Sequence, residues 1–265
     1  MKVSADKGQP EIFYSLQGEG KNLGQPSIFI RLSLCNLYCI WCDTDYTWNW
    51  EGTAYPHVND SKPDYQKFKK EEQIIESTID EIVQHVQQYP CKNIVLTGGE
   101  PMVQHKELVK LMSALPGYHF EIETNGTIIP GEPFQKAIDQ YNVSAKLSNS
   151  QVKHIDRIKP EALEFFAQSG KANFKFVVAD EQDLSEVMKL IGDYQIQHQD
   201  VFLMPEGTTI EQLNEKQSWL SDVCLKYGFN YTDRMHVRLF GSKRGVWLGC
   251  MMYDCMVYND FNWLY

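Results

Sequence analysis

Three cysteines, Cys35, Cys39 and Cys42, stand within eight residues in the run Cys35-Asn36-Leu37-Tyr38-Cys39-Ile40-Trp41-Cys42-Asp43-Thr44, just after an apolar, strand-like segment. Thiols two or three residues apart rarely present the Cβ vectors that a disulfide needs. Convergence on one inorganic centre accounts for the spacing better. A closed structural zinc site takes four nitrogen or sulfur ligands, commonly as two knuckles, and no second pair sits at matching spacing. Iron–sulfur clusters normally take four cysteines. A cluster held by three therefore keeps one iron open to an outside ligand and is a reactive centre, not an electron wire.

Other residues with chemistry to offer cluster where a strand-like run meets a glycine. Thr97-Gly98-Gly99-Glu100-Pro101 pairs two glycines, which let backbone come close to a ligand, with a carboxylate; a plain turn is the alternative. Glu123-Thr124-Asn125-Gly126 puts an acid at a strand end, though Asn-Gly turns are common. Ser144-Ala145-Lys146 offers a hydroxyl and a cation, or merely a solvated strand end.

The elements that must position these groups alternate. A β-rich region, Glu11 to Gly20 and Ile28 to Leu34, is punctuated by Gly18, Gly20 and Gly24. A polar, aromatic stretch without clear period, about residues 46–75, reads as an excursion off the core, with His57 on its surface. A helix from Ser77, with Ile79, Ile82, Val83 and Val86 on one face, then leads to a strand at Asn93–Thr97. Helices are expected near His105–Ala114, Phe134–Gln140, Leu184–Tyr194 and Ile210–Tyr227. Strands are expected at Tyr118–Glu123, Asn142–Lys146, Phe174–Val178, Val201–Met204 and His236–Phe240. Repeated β/α units of this kind predict an α/β barrel or partial barrel with mostly parallel strands. Ligands then gather at the carboxyl ends of the strands, which selects Cys35–Thr44, Gly98–Pro101, Glu123–Gly126, Lys146–Asn149, Pro205–Gly207 and Gly241–Gly245.

Composition narrows the partners. The 265 residues suffice for one large domain with a substantial core. A net charge of −10 argues against a broad nucleic-acid or anionic-membrane footprint and for a small-molecule substrate. No run of 18 apolar residues occurs, and residues 1–10 are polar, so a cytoplasmic location is expected. Seven cysteines, an odd number, fit reduced thiols plus metal ligands. Cys91, Cys224, Cys250 and Cys255 are expected to be small buried residues.

The cysteine spacing, the aromatic Trp41 before the last cysteine and the Gly98-Gly99-Glu100 turn resemble the radical S-adenosylmethionine (SAM) superfamily. That resemblance implies a 4Fe-4S cluster on Cys35, Cys39 and Cys42, whose free iron chelates SAM. A narrower resemblance, to the 7-carboxy-7-deazaguanine synthase family, spans nearly everything from residue 11 to 246. It rests on Phe13 to Gly20 with its Leu-Gln-Gly-Glu-Gly core, Arg31, Cys42-Asp43-Thr44, Asn142 to Ser150 and Gly241 to Val246. It implies a modified, incomplete (β/α) barrel and a homodimer. The implied reaction is that of a carbon–nitrogen lyase: 6-carboxy-5,6,7,8-tetrahydropterin becomes 7-carboxy-7-deazaguanine with loss of ammonia, toward queuosine and related deazapurines. SAM is regenerated, Mg²⁺ assists, and a flavodoxin-like or similar protein donates the electron.

By position, the resemblance gives SAM to Trp41, Asp43, Gly99, Glu100, Glu123, Ser144, Ala145, Lys146, Leu203, Met204, Pro205 and Glu206. It gives the pterin to Leu16, Gln17, Gly18, Glu19, Arg31, Thr97 and His236, and Mg²⁺ to Thr44. The roles are chemically sensible. Arg31 offers a fixed fork for a carboxylate, and the Gln17 amide can both donate to and accept from a pterin edge. Thr44 is a weak oxygen ligand that would need substrate and water to complete an octahedron; a turn-capping threonine is its plainer role.

The chain departs from the family pattern in two places. Ala145 stands where relatives usually carry proline. Related chains also often finish near the Gly-Ser-Lys-Arg-Gly-Val stretch and can use a terminal carboxylate on the substrate, whereas nineteen further residues, Trp247 to Tyr265, follow here. The domain is accordingly expected over 1–246, with 247–265 an apolar extension of unassigned role, and no terminal-carboxylate role is carried to Tyr265. A glycyl-radical activating enzyme shares the cysteine spacing but leaves Leu16–Gly20 unexplained. A zinc-stabilised binding module leaves Gly98–Glu100 without a role.

Overall fold

The computed structural model describes residues 1–241 and 244. Eleven strands form one sheet: β1 (Lys2–Asp6), β2 (Gln9–Pro10), β3 (Ile12–Leu16), β4 (Pro26–Leu32), β5 (Ile74–Glu76), β6 (Asn93–Gly98), β7 (His119–Thr124), β8 (Gln140–Val143), β9 (Ala172–Val178), β10 (Val201–Pro205) and β11 (Asn230–Tyr231). Helices α1 (Lys70–Gln73), α2 (Ile79–Gln87), α3 (His105–Ala114), α4 (Glu132–Ala137), α5 (His154–Arg157), α6 (Pro160–Gln168), α7 (Glu181–Tyr194), α8 (Ile210–Tyr227) and α9 (Met235–Phe240) complete the described chain.

From β4 through β6, β7, β8, β9 and β10 to β11 every neighbour is parallel and follows in sequence order, as repeated β/α crossovers dictate. The antiparallel β3 and β1 lie on the other side of β4, so among the described residues the sheet stays open between the β11 edge and the β3 edge. The register pairs Ile28 with Ile94, and Leu96 with Ile122.

Strand alternation divides the sheet into two chemically different faces. Ile28, Ile30, Leu32, Ile94, Leu96, Ile122, Val143, Phe174, Phe176 and Leu203 point to the helices and form the main core. Each such side chain contributes about 1.5–3 kcal/mol by leaving water. α2 shows how a helix joins that core. Thr78 and Glu81 cap it reciprocally, with Glu81 Oε2 accepting from the Thr78 backbone N–H at 2.7 Å, and Ile82 and Val86 are fully buried. On the other face, among the described residues, Phe13, Phe29 and Val95 cluster as a small apolar patch. Arg31, Thr97, Glu121, Glu123 and Lys175 share that face by alternation.

Several expectations need correction. The segment His236–Phe240 lies in helix α9, not a strand: Val237 is buried and Leu239 is 53% exposed, whereas a strand would put both on one face. β8 ends at Val143, before Ser144, and α4 ends at Ala137. The helix α6 and the short strands β1, β2, β5 and β11 were not anticipated. The stretch 46–75 is largely exposed after residue 50, but its start is not, since Tyr46, Thr47, Trp48 and Asn49 are buried. His57, read as surface, is 4% exposed. Cys91 and Cys224 are buried as expected, while Cys250, Cys255 and residues 247–265 lie outside the described residues.

Candidate active site

The loop carrying the three cysteines leaves β4 through Leu34, whose φ of 79° is rare for a branched side chain and marks a forced turn. Two glycines make room for it. A Cβ on Gly98 would stand 1.9 Å from the Leu32 carbonyl oxygen, and one on Gly99 would stand 2.2 Å from that of Leu34. The pair therefore serves close approach to the cysteine loop itself, through Gly99 N–H to the Leu32 carbonyl (3.1 Å) and Glu100 N–H to that of Leu34 (2.9 Å).

Below the turn, Glu100 is fully buried. Its carboxylate accepts from Met102 N (2.9 Å), Asn125 N (2.6 Å) and the Thr124 hydroxyl (2.9 Å), tying β6 to the end of β7. Burial pushes its pKa up to about 6 despite these donors.

The loop is gripped on its remaining sides. Ile40 N–H donates to the Ser150 carbonyl (3.0 Å), the Trp41 indole donates to the Asn149 carbonyl (3.0 Å), and Asn125 Nδ2 donates to Asn36 (2.8 Å). His57 Nε2 lies 2.9 Å from the Cys42 carbonyl, and Nδ1 lies 3.2 Å from Asn59 N and 3.3 Å from the Asp45 carboxylate.

Burial drives all three thiols above their ordinary pKa, Cys42 to about 12, and Cys39 and Cys42 raise Cys35 further. Donors nevertheless face the sulfurs. Leu37 N–H lies 3.4 Å from Cys35 Sγ, and the Thr44 hydroxyl lies 3.6 Å from Cys42 Sγ. The buried Trp48 indole N–H has no partner of full geometry and lowers the Cys42 pKa as a donor toward its sulfur. Neutral thiols do not require such donors, whereas thiolates bound to metal do. Among the described residues no three His, Cys, Asp or Glu side chains close tightly enough for a single metal ion. Three thiols on one loop, with Leu37 N–H at Cys35 and the Trp48 indole turned toward Cys42, are a ligand set that suits an iron–sulfur cluster keeping one iron open.

Beside the loop, the polar face of the sheet forms two connected groups. In the first, Glu123 accepts from the Thr97 hydroxyl (2.6 Å) and from Gln17 Nε2 (3.3 Å). In the second, Glu19 is flanked by Lys175, by Arg234 (3.2 Å to Nε) and by His236 (3.8 Å). Burial alone would raise the Glu19 pKa, but Lys175 and Arg234 hold it well below the usual carboxylate range. Burial lowers that of His236, which is neutral near pH 7. Arg31 donates through Nε to Glu11 at 2.9 Å. On the other flank Lys146 lies 5.7 Å above the Trp41 ring and donates to Ser144 at 3.3 Å. Ala145 is buried, and Asp43 binds Arg234.

The expected residues do not all converge. Leu203 belongs to the helix-facing core, and its carbonyl accepts from Thr232 N (2.9 Å), whereas Met204 alternates to the other face. Glu206 pairs with Lys216 at 3.1 Å. Glu11, His57, Lys175 and Arg234 were not anticipated as part of the site. Of these only Lys175 left a signal, a charged residue two positions from Asn173 in a strand whose alternate residues Phe174, Phe176 and Val178 are apolar.

The profile of the Radical SAM superfamily matches residues 30–163. A 7-carboxy-7-deazaguanine synthase from Pyrobaculum aerophilum is 37% identical over 237 residues, 89% of this chain and 95% of the relative. One from Halobacterium salinarum is 37% identical over 256 residues, 88% and 90% of the two chains. The crystal structure of QueE from Escherichia coli superposes with a TM-score of 0.63 at 24% identity, over 89% of this chain and 95% of that one, and supports the fold. On the breadth of these matches, the chain belongs to the 7-carboxy-7-deazaguanine synthase family of the radical SAM superfamily.

Proposed function

We propose that the chain converts 6-carboxy-5,6,7,8-tetrahydropterin to 7-carboxy-7-deazaguanine and ammonia, as a radical SAM lyase of deazapurine biosynthesis. The observation that carries this reading to named residues is the polar sheet face of Gln17, Glu19, Arg31, Thr97 and Glu123 beside the three-cysteine loop. Product and ammonia together contain the atoms of the substrate, so the ring contraction needs no net oxidant and SAM can be regenerated.

Cys35, Cys39 and Cys42 would hold the 4Fe-4S cluster. When bound, cluster and SAM would supply radical chemistry, the removal of a hydrogen atom from the substrate carbon bearing the carboxylate, given one electron from an external reductant. The protein's own part is binding, orientation and proton placement. Arg31, fixed by Glu11, receives the substrate carboxylate. Glu123, which the resemblance gave to SAM, is oriented by Thr97 and Gln17 within the pterin group and is reassigned to accept from the N–H groups of the pterin edge. Leu16 and Gly18 frame the ring, and His236, neutral beside Glu19, is placed to take a proton as ammonia leaves. On the SAM side stand Trp41, Asp43, the backbone of Gly99, Ser144 to Lys146 and Met204 to Glu206. Glu100 acts through its turn, and the Leu203 side chain acts through packing.

Mg²⁺ at Thr44, completed by substrate oxygens and water, belongs to the same proposal, as do a single domain over 1–246, a homodimer, a flavodoxin-like donor, a cytoplasmic setting and the absence of a nucleic-acid partner. Among the described residues no helix is long and apolar enough to cross a membrane. The test is anaerobic incubation of the reconstituted protein with SAM, dithionite, Mg²⁺ and the pterin, followed by mass analysis. The expected result is 7-carboxy-7-deazaguanine with SAM conserved. Cleavage of SAM with the pterin untouched would overturn the substrate.

A further inference from the structure

At the open edge of the sheet one side chain ties three loops together. Arg234, between β11 and α9, is 9% exposed and uses each nitrogen of its guanidinium on a different loop. Nε donates to Glu19 Oε1 (3.2 Å) in the loop after β3, Nη1 to the Gly207 carbonyl (2.8 Å) after β10, and Nη2 to Asp43 in the cysteine loop after β4. Its neighbours fasten the same seam. Met235 N–H donates to the Gly18 carbonyl (2.9 Å), Gly20 N–H to the Thr232 hydroxyl (2.7 Å) and Thr232 N–H to the Leu203 carbonyl (2.9 Å).

A planar fork with three fixed directions is what guanidinium offers and ammonium does not. Glu19 lies in the group assigned to the pterin, while Asp43 and the Gly207 loop lie in the group assigned to SAM. We propose that Arg234 is a positioning residue that couples the two ligand subsites, so that filling one sets the loop geometry of the other. The inference rests on the subsite assignment above and goes beyond it in making the two affinities interdependent through one residue.

Removing the guanidinium should not unfold the chain. Lys175 still neutralises Glu19, and the Asp43 side chain is 53% exposed and can be hydrated. The seam also keeps its backbone bonds.

Equilibrium dialysis of SAM against the cluster-loaded protein, with and without the pterin, tests the proposal. In the unmodified protein the pterin should tighten SAM binding by roughly five- to a hundredfold, the ordinary span of coupling between sites, and in R234Q the factor should fall to about one with iron content retained. R234K keeps the charge but reaches a single loop, and should also lose the coupling. A coupling factor of about one in the unmodified protein, or a factor in R234Q equal to the unmodified one, would overturn the proposal. Loss of iron from both variants would do so too, since Arg234 would then be a structural requirement of the cysteine loop. R31A separates the two levels of inference. If it weakens pterin binding while R234Q keeps its coupling, only the role of Arg234 fails. If R31A and R234Q both leave pterin binding unchanged, the subsite assignment fails and the coupling with it.

Discussion

Glu11 governs two arginines from opposite ends of the chain. It is 3% exposed, accepts from Arg31 (2.9 Å) and the Tyr46 hydroxyl (3.2 Å) on one oxygen, and from Arg244 (3.1 Å) on the other, while Arg244 lies 3.4 Å from the Tyr46 ring. Glu11→Gln removes the charge that holds Arg31 in place. The loss of charge-assisted bonds, on the order of 1.5–3 kcal/mol, should raise the pterin KM by roughly ten- to a hundredfold. Binding of SAM should be unchanged. Steady-state kinetics in each substrate decide it, and an unchanged pterin KM would free Arg31 from this dependence. Cys39→Ala, by contrast, should abolish iron loading and turnover together; a variant with a full complement of iron and full activity would remove Cys39 from the cluster. These two predictions show what was legible at this scale. Cysteines at close spacing and polar residues at strand ends, such as Thr97 and Glu123, carry their chemistry in type and position. Glu11, His57 and Arg234 do not, because their meaning comes from partners far along the chain: Arg234 and Asp43 are 191 residues apart.

Between residues and fold stands the strand-end turn, and β6 shows how much of it a sequence conveys. The turn itself, the strand before it and the helix after it were legible from apolar periodicity and paired glycines. What the glycines make room for was not, since the Leu32 and Leu34 carbonyls come from a different strand. Gly99→Ala would drive a methyl into the Leu34 carbonyl and to 3.0 Å from Cys35 Cβ, so the cysteine loop must shift. Iron content after reconstitution should fall by more than half while the helix content stays; full loading would show that the loop has slack. Glu100, on the same turn, gives a pH signature. Its folded pKa of about 6 lies above the ordinary 4.5, so between these values the folded chain holds a proton that the unfolded chain has released. Stability therefore falls as pH rises through this window, by about 2 kcal/mol at most. Denaturant unfolding of the cluster-free protein should show that fall, and Glu100→Gln should flatten it. An identical slope in the variant would place the titration elsewhere. That His236–Phe240 reads as a strand yet is helical has the same origin as the hidden glycine contact: alternation of Val237 and Leu239 mimics a strand, and only the neighbours show that a single side of the segment is covered.

At the scale of the molecule, the consequence of an incomplete barrel is an uneven distribution of stability. Strands β4 and β6–β10 have parallel partners on both edges or an antiparallel one beside them, and their helix-facing side chains form one continuous core. That much followed from repeated β/α units. The position of the gap did not, because closure depends on the pairing of β11, a strand of two residues, and on contacts between segments 17–20 and 232–236 that no periodicity encodes. Those segments meet through a few hydrogen bonds and buried charges rather than through apolar packing, and such regions open at far less than the global free energy. Amide hydrogen exchange should therefore find the backbone of Gly18–Gly24 and Thr232–Phe240 exchanging at least roughly tenfold faster than that of β6–β8 in the ligand-free, cluster-loaded protein, a difference of about 1.4 kcal/mol or more in opening free energy. SAM and pterin together should protect both segments at once, since the pterin group takes Gly18 and Glu19 from one segment and His236 from the other, and the SAM group meets Arg234 through Asp43 and Gly207. Protection confined to one segment, or equal exchange in the seam and in the central strands, would mean that the edge closes by packing outside these contacts and that ligand binding does not complete the barrel.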